Sequence, residues 1–179
     1  MKGMVILIRG LPFSGKTKVA EKLKEELEKK EIHTVIIDQE TIRKSLFPEI
    51  DYSYDNWNKI IERLNFITGI LTKEGLNIII TTTVPKKEFV QIVREKNESF
   101  FEVFLALPSD VCKEKDTEGI FPDVEKSFEP SDFPDVKITS IEQVDDIIRR
   151  FEELGYIDVY DSDEEEEIKK RLQNLGYID

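Results

Sequence analysis

Met4 to Thr17 reads MVILIRGLPFSGKT, an apolar run that leads into Gly10, four further residues, and then Gly15, Lys16 and Thr17, the spacing GxxxxGK[ST]. Glycines at both ends permit a tight turn whose backbone N–H groups face an anion with no side chain in the way. Lys16 can then set its ammonium against β- and γ-phosphates, Thr17 can offer its hydroxyl to Mg²⁺, and the helix that follows turns its positive end to the same oxygens. The flanks agree. Val5 to Ile8 predicts a short buried strand, and Lys18 to Lys30 an amphipathic helix with Val19, Leu23 and Leu27 on one face. An ordinary Gly-rich turn is the bland alternative, and the complete motif between such flanks argues against it. The loop of Gly10, Leu11, Pro12, Phe13, Ser14, Gly15, Lys16 and Thr17 is therefore the expected ATP-binding segment.

Outward from the loop, strand and helix alternate. Thr34 to Asp38 (TVIID), Asn77 to Thr82 (NIIITT), Phe101 to Ala106 (FEVFLA) and Val136 to Thr139 read as further strands. Between them, Tyr54 to Glu74 carries Trp57, Ile60, Ile61, Leu64, Ile67 and Leu71 at helical spacing before Gly75. Helices are also predicted from about Thr41, from Lys86 to about Asn97, over Asp110 to Lys115, and along Ile141 to Leu154 with Ser140 as its cap. Thr117 to Pro134, rich in Pro and acids, reads as a loop over the carboxyl edge. The pattern is α/β, a three-layer α/β/α arrangement around a mainly parallel five-stranded sheet.

The bulk properties narrow the function. A chain of 179 residues suits one ordinary domain. A net charge of −12 argues against nucleic acid or an anionic membrane surface as the partner and favours small ligands. The single Cys112 excludes an internal disulfide, and no apolar stretch approaches a signal core or membrane span, so a cytoplasmic protein is expected. The lone His33 reads as a surface or packed residue, not a ligand.

Chemistry is expected where the strands' carboxyl ends meet the phosphate loop. Phosphoryl transfer asks the protein to align an attacking oxygen, to neutralise charge on the phosphate and to hold Mg²⁺. Asp38 at the end of the second strand is placed to accept a hydroxyl proton, with Glu40 sharing that work. Arg43 is placed to clamp an anionic substrate, and Thr81 to Thr83 closes the third strand. The competing reading makes Asp38, Glu40 and Arg43 a helix cap and surface.

These residues together resemble the adenylylsulfate kinases, which move the γ-phosphate of ATP to the 3′-hydroxyl of adenosine 5′-phosphosulfate. GLPFSGKT is similar to that family's phosphate loop, and Ile37 to Arg43 (IDQETIR) is similar to its LDGDNxR segment, with Asp38 and Arg43 retained. Phe100 to Phe121 and Lys137 to Ile157 resemble its later strands and last helix. The resemblance implies a P-loop kinase fold using ATP and Mg²⁺, Lys16, Asp38 and Glu40 as catalytic residues, Thr17 on the metal, and Asp38, Arg43, Trp57 and Thr82 on the acceptor. There are departures. Gln39 and Glu40 stand at the family's Gly-Asp, Trp57 and Ile60 at its substrate-binding Arg and Asn, and Lys115 at an Arg. A lid insert is missing between Gly119 and Pro130. Trp57 also falls on the predicted buried face, which makes it core first and a stacking platform second.

The chain's end echoes itself. Ile147 to Asp158 (IIRRFEELGYID) recurs as Ile168 to Asp179 (IKKRLQNLGYID), and between the two lies the acidic run Asp161 to Glu167. The expected organisation is a kinase domain over 1–157, then an acidic linker and an appended helix over 158–179. A homodimer and a protein partner for this tail are open expectations. The function expected is an ATP-dependent kinase with a small hydroxyl-bearing acceptor. Its alternatives are a P-loop kinase for a nucleotide-linked metabolite, sugar or hydroxy amino acid, and a non-catalytic ATP-binding regulatory or adaptor module.

Overall fold

The computed structural model describes residues 3–51, 53–116, 119, 121–157, 170–173 and 175–177. Its strands are β1 (Val5–Gly10), β2 (Thr34–Asp38), β3 (Asn77–Thr82), β4 (Phe100–Leu105) and β5 (Val136–Ile138). They form one sheet in the order β2-β3-β1-β4-β5, and every pairing is parallel. Parallel neighbours need crossovers, which here are α1 (Lys16–Lys29), α2 (Gln39–Leu46), α3 (Tyr54–Lys73), α4 (Lys87–Lys96), α5 (Ser109–Lys113) and α6 (Phe121–Ser127). A 3₁₀ turn (Ile141–Gln143) follows β5 and leads into α7 (Val144–Glu153). Two compact units divide within α7, Met1–Ile148 and Arg149–Asp179.

Alternation along the central strand builds two apolar layers. Val5 and Leu7, with Ile78 and Ile80 beside them, meet Trp57, Ile60, Ile61 and Leu64 of α3 and Phe89, Val90 and Val93 of α4 in one cluster. Ile6, Ile8 and Ile79 point to the other face, where α1 buries Val19, Ala20, Leu23 and Leu27. Burying each such side chain contributes about 1.5–3 kcal/mol, so these layers hold the sheet flat against its helices. Trp57 is 4% exposed and stacks on Phe89 at 6.3 Å between ring centroids, which corrects its expected role on the acceptor. The indole is spent on the core, where the helical periodicity had also put it.

Two further expectations change. The stretch read as a loop contains α6, whose start is organised by Asp116: its carboxylate accepts from the Gly119 and Phe121 N–H groups at 2.8 and 3.0 Å. Pro122 sits at the second position of that helix, where no intrahelical donor is needed. Ser140 makes no side-chain cap; the chain enters α7 through the 3₁₀ turn instead. Among the described residues, no helix is long and apolar enough to cross a membrane.

In the second unit, both copies of the echoed ending close in the same way. Gly155 and Gly176 each hold φ at 72°, and the N–H groups of Tyr156 and Tyr177 reach the carbonyls of Phe151 and Leu172 at 2.9 and 3.0 Å. The acidic run between the copies lies outside the described residues.

Candidate active site

Because all five strands run the same way, their carboxyl ends share one edge, and the turn after β1 opens there on a cavity of about 700 Å³. The turn is shaped by two left-handed residues, Phe13 at φ 60° and Gly15 at φ 92°. Gly10 is required for another reason: a Cβ there would lie 2.7 Å from the Leu105 carbonyl oxygen and 3.0 Å from the Ser14 hydroxyl. Gly15 caps α1, and the Val19 N–H closes the first helical turn onto its carbonyl at 3.1 Å. The first N–H groups of α1 and its positive dipole end therefore face the cavity, as an anion site requires.

Of the residues expected at the site, Pro12, Phe13, Ser14, Gly15, Lys16, Thr17, Asp38, Glu40 and Thr82 line this cavity. Gly10 and Leu11 form the base of the turn instead, with Leu11 giving its carbonyl to the Lys16 ammonium at 2.7 Å. Burial pushes Lys16 down to about 8, against a partial lift from the Asp38 carboxylate. A cation held in this way gains most from an incoming phosphate, which replaces the lost solvation with opposite charge.

Asp38 is fixed on three sides. One carboxylate oxygen accepts from the Thr41 N–H and hydroxyl at 2.8 and 2.9 Å, and the other from the Thr81 hydroxyl at 2.6 Å. A carboxylate offers about four acceptor positions, so one remains for a donor arriving from the cavity. Burial alone would raise its pKa; the Thr81 and Thr41 hydrogen bonds and the Lys16 charge outweigh that and hold the group below its ordinary value. Asp38 is thus both the cap of α2 and an ionised group at the cavity wall. The cap reading of the sequence thus holds for Asp38, and its place on the wall leaves the proton-accepting role open to it.

The neighbouring positions divide. Glu40 reaches the wall but is engaged by Arg43 at 3.1 Å and Lys44 at 3.2 Å. Arg43 does not line the cavity; its guanidinium also donates to the Ile50 carbonyl at 2.8 Å, so it ties α2 to the connection that leads into α3, and its expected place on the acceptor is corrected. The Thr82 hydroxyl is buried between Gln39 at 3.3 Å and the Val84 N–H at 3.1 Å. Sequence reasoning missed Lys44, Val124 and the Thr139–Glu142 turn, which also line the cavity, as does Lys115, which stands at the family's Arg. A surface lysine such as Lys44 and a lone valine carry no motif, so proximity alone reveals them. Two buried groups on the wall, the Ser14 hydroxyl and the Gln39 amide nitrogen, have no hydrogen-bond partner within the protein. Such groups are costly until something polar arrives.

The chain has relatives among known proteins. The family model for adenylylsulphate kinase matches residues 2–130. An adenylyl-sulfate kinase of Gloeothece citriformis is 26% identical over 172 residues, covering 87% of this chain and 98% of that protein. A probable adenylyl-sulfate kinase of Pseudomonas aeruginosa is 28% identical over 83% of this chain and 77% of its own length. Among solved structures, a Mycobacterium tuberculosis APS kinase in complex with AMPPNP and APS superposes with a TM-score of 0.74 at 23% identity, covering 84% of this chain and 98% of the other.

Proposed function

The chain belongs to the adenylylsulphate kinase family, and from that premise we propose that it transfers the γ-phosphate of ATP to a substrate hydroxyl, with the 3′-hydroxyl of adenosine 5′-phosphosulfate as the leading acceptor. The observation that carries the reading is that Lys16, partly desolvated by burial, and Asp38, held ionised chiefly by the Thr81 and Thr41 hydrogen bonds, face one cavity at the carboxyl edge. The loop amides, the α1 N-terminus and Lys16 bind the triphosphate. Asp38 takes the acceptor's proton on its remaining oxygen position as the new O–P bond forms and the bond from the γ-phosphorus to the bridging oxygen breaks, leaving ADP. The low pKa of Asp38 suits a late proton transfer in a loose transition state.

Thr17, exposed at the start of α1 on the cavity wall, would hold Mg²⁺. Among the described residues there is no cluster of three His, Cys, Asp or Glu, and none is needed, because nucleotide-borne Mg²⁺ takes one or two protein oxygens with phosphates and water. The bound ion supplies charge neutralisation at the β- and γ-oxygens. All lining residues fall within Met1–Ile148, so the chemistry is assigned to that unit.

A second acceptor reading rests on Trp57 and Arg43, whose positions leave them without contact with the cavity. It keeps the phosphate chemistry and changes the acceptor to another small hydroxyl compound. Coupled ADP release with Mg-ATP, run against adenosine 5′-phosphosulfate and a panel of sugars and hydroxy amino acids, separates the two. Acceptor-dependent turnover is expected, and it should fall by about 10²–10³-fold in both Lys16→Ala and Asp38→Asn. Nucleotide binding with no turnover on any acceptor would instead favour a regulatory module.

A further inference from the structure

Arg9 is the largest fully buried side chain in the described structure, on the central strand one residue before the phosphate loop. An apolar residue would satisfy the sheet at that position without desolvating a charge, so the guanidinium must be retained for what it holds. Its Nε donates to the Val84 carbonyl at 2.8 Å, and one terminal nitrogen donates to the Pro85 and Glu129 carbonyls at 2.9 and 2.6 Å. The other terminal nitrogen donates to the Ser131 hydroxyl at 2.9 Å, and the Phe128 ring covers the group at 4.5 Å. Burial pushes the guanidinium down to about 10, with Glu102 and Glu129 acting against that, so it is charged at neutral pH.

These partners belong to two separate stretches. Val84 and Pro85 leave the carboxyl end of β3; Phe128 to Ser131 is the return from α6 toward β5. The join is reinforced by the Glu129 N–H on the Pro85 carbonyl at 2.8 Å, by Lys86 on the Glu129 carboxylate at 2.8 Å, and by the Ser131 hydroxyl, which donates onward to Glu102. From this join the connection to the cavity is short. Phe128 N–H reaches the Glu125 carbonyl at 3.3 Å and the Ser127 hydroxyl the Val124 carbonyl at 3.1 Å, and Val124 lines the same cavity as the phosphate loop.

We propose that Arg9 is a positioning residue: by clasping Val84–Pro85 and Phe128–Ser131 from inside the sheet, it sets where the strap of residues 121–131 presents Val124 to the nucleotide and acceptor cavity. Its planar fork reaches carbonyls of both stretches at once, which a lysine ammonium cannot reproduce. The strap is therefore registered to the strand that carries the phosphate loop. It does not float on its own short helix.

Hydrogen exchange on the full chain tests this directly. In Arg9→Lys, peptides across 121–131 should exchange roughly ten-fold faster or more, while those of β1, α1 and α3 stay within about two-fold of wild type. Affinity for Mg-AMPPNP should stay within about three-fold, and any acceptor turnover should show KM raised with kcat nearly kept. Only the turnover measurement depends on the kinase reading; a wild-type protein that binds no nucleotide would end that reading and leave the exchange result to decide on Arg9. Unchanged protection of the strap, or loss of protection in all elements together, overturns the proposal. If Arg9→Lys does not fold, Ser131→Ala and Phe128→Leu remove one clasp each while leaving every residue of the sheet unchanged, and both should loosen 121–131 selectively.

Discussion

The cluster between the sheet and α3 and the cavity at the sheet's carboxyl edge are made by the same strands, yet one is finished and the other is not. Beside α3, Val5, Leu7, Ile78 and Ile80 meet Trp57, Ile60 and Leu64, and among the described residues none of the buried side-chain groups that lack a hydrogen-bond partner belongs to that cluster. At the edge, the Ser14 hydroxyl and Gln39 amide lack protein partners, Phe13 holds a positive φ and Lys16 is partly desolvated. Strain and unmet polarity of this kind persist only where surrounding structure enforces them, and they concentrate where ligands bind. Stability thus resides in the first region and recognition in the second, and the two should respond to mutation in opposite ways.

The largest effect that would sharpen this division is expected from Trp57→Ala. Emptying that site should cost about 3–5 kcal/mol in urea unfolding, while the nucleotide analogue binds as before at 25 °C. A raised acceptor KM with full stability would break the division, because it would put the indole on the substrate. Next is Lys16→Met, which should weaken nucleotide binding by about 10–100-fold in calorimetry, the worth of a charge-assisted contact, with no loss of thermal stability. A clear fall in Tm would place Lys16 in the framework.

The smallest effect is in pH. Lys16 titrates near 8 in the free protein against an ordinary 10.5, so nucleotide affinity should decline as pH rises through 8. Stability should move the other way. Between about 8 and 10.5 the unfolded chain binds more protons at this group than the folded one, so unfolding free energy rises with pH across that window. Calorimetry and denaturation at pH 7 to 10 check both slopes, and Lys16→Met should flatten them. An affinity independent of pH would remove Lys16 from the phosphates.

The sheet and the phosphate loop were legible because their signals are local: apolar runs of strand length, glycines at fixed spacing, and helical periodicity that put Trp57 on the buried face. Other parts depended on contacts distant in sequence. The helix α6 was hidden by the prolines and acids of the stretch around it, although Pro122 in a first turn and Asp116 ahead of it are helix-start signals once paired. Arg9 was passed over because the apolar run was ended at Ile8, whereas the strand continues through Gly10; its partners lie 75 to 122 residues away. Arg43 has the position that the motif implies, but the Ile50 carbonyl, seven residues on, captures its guanidinium. Motif spacing places a residue near a site; hydrogen bonds decide whether its side chain faces it.

Phe13 carries one more consequence. Its backbone takes a left-handed conformation that glycine would adopt freely, and the residue lines the same cavity as Lys16. A competitive inhibitor with a flat aromatic group could lean on that ring, a foothold missing from any nucleotide loop with glycine at the same place. Selectivity for this chain would then come from the loop itself.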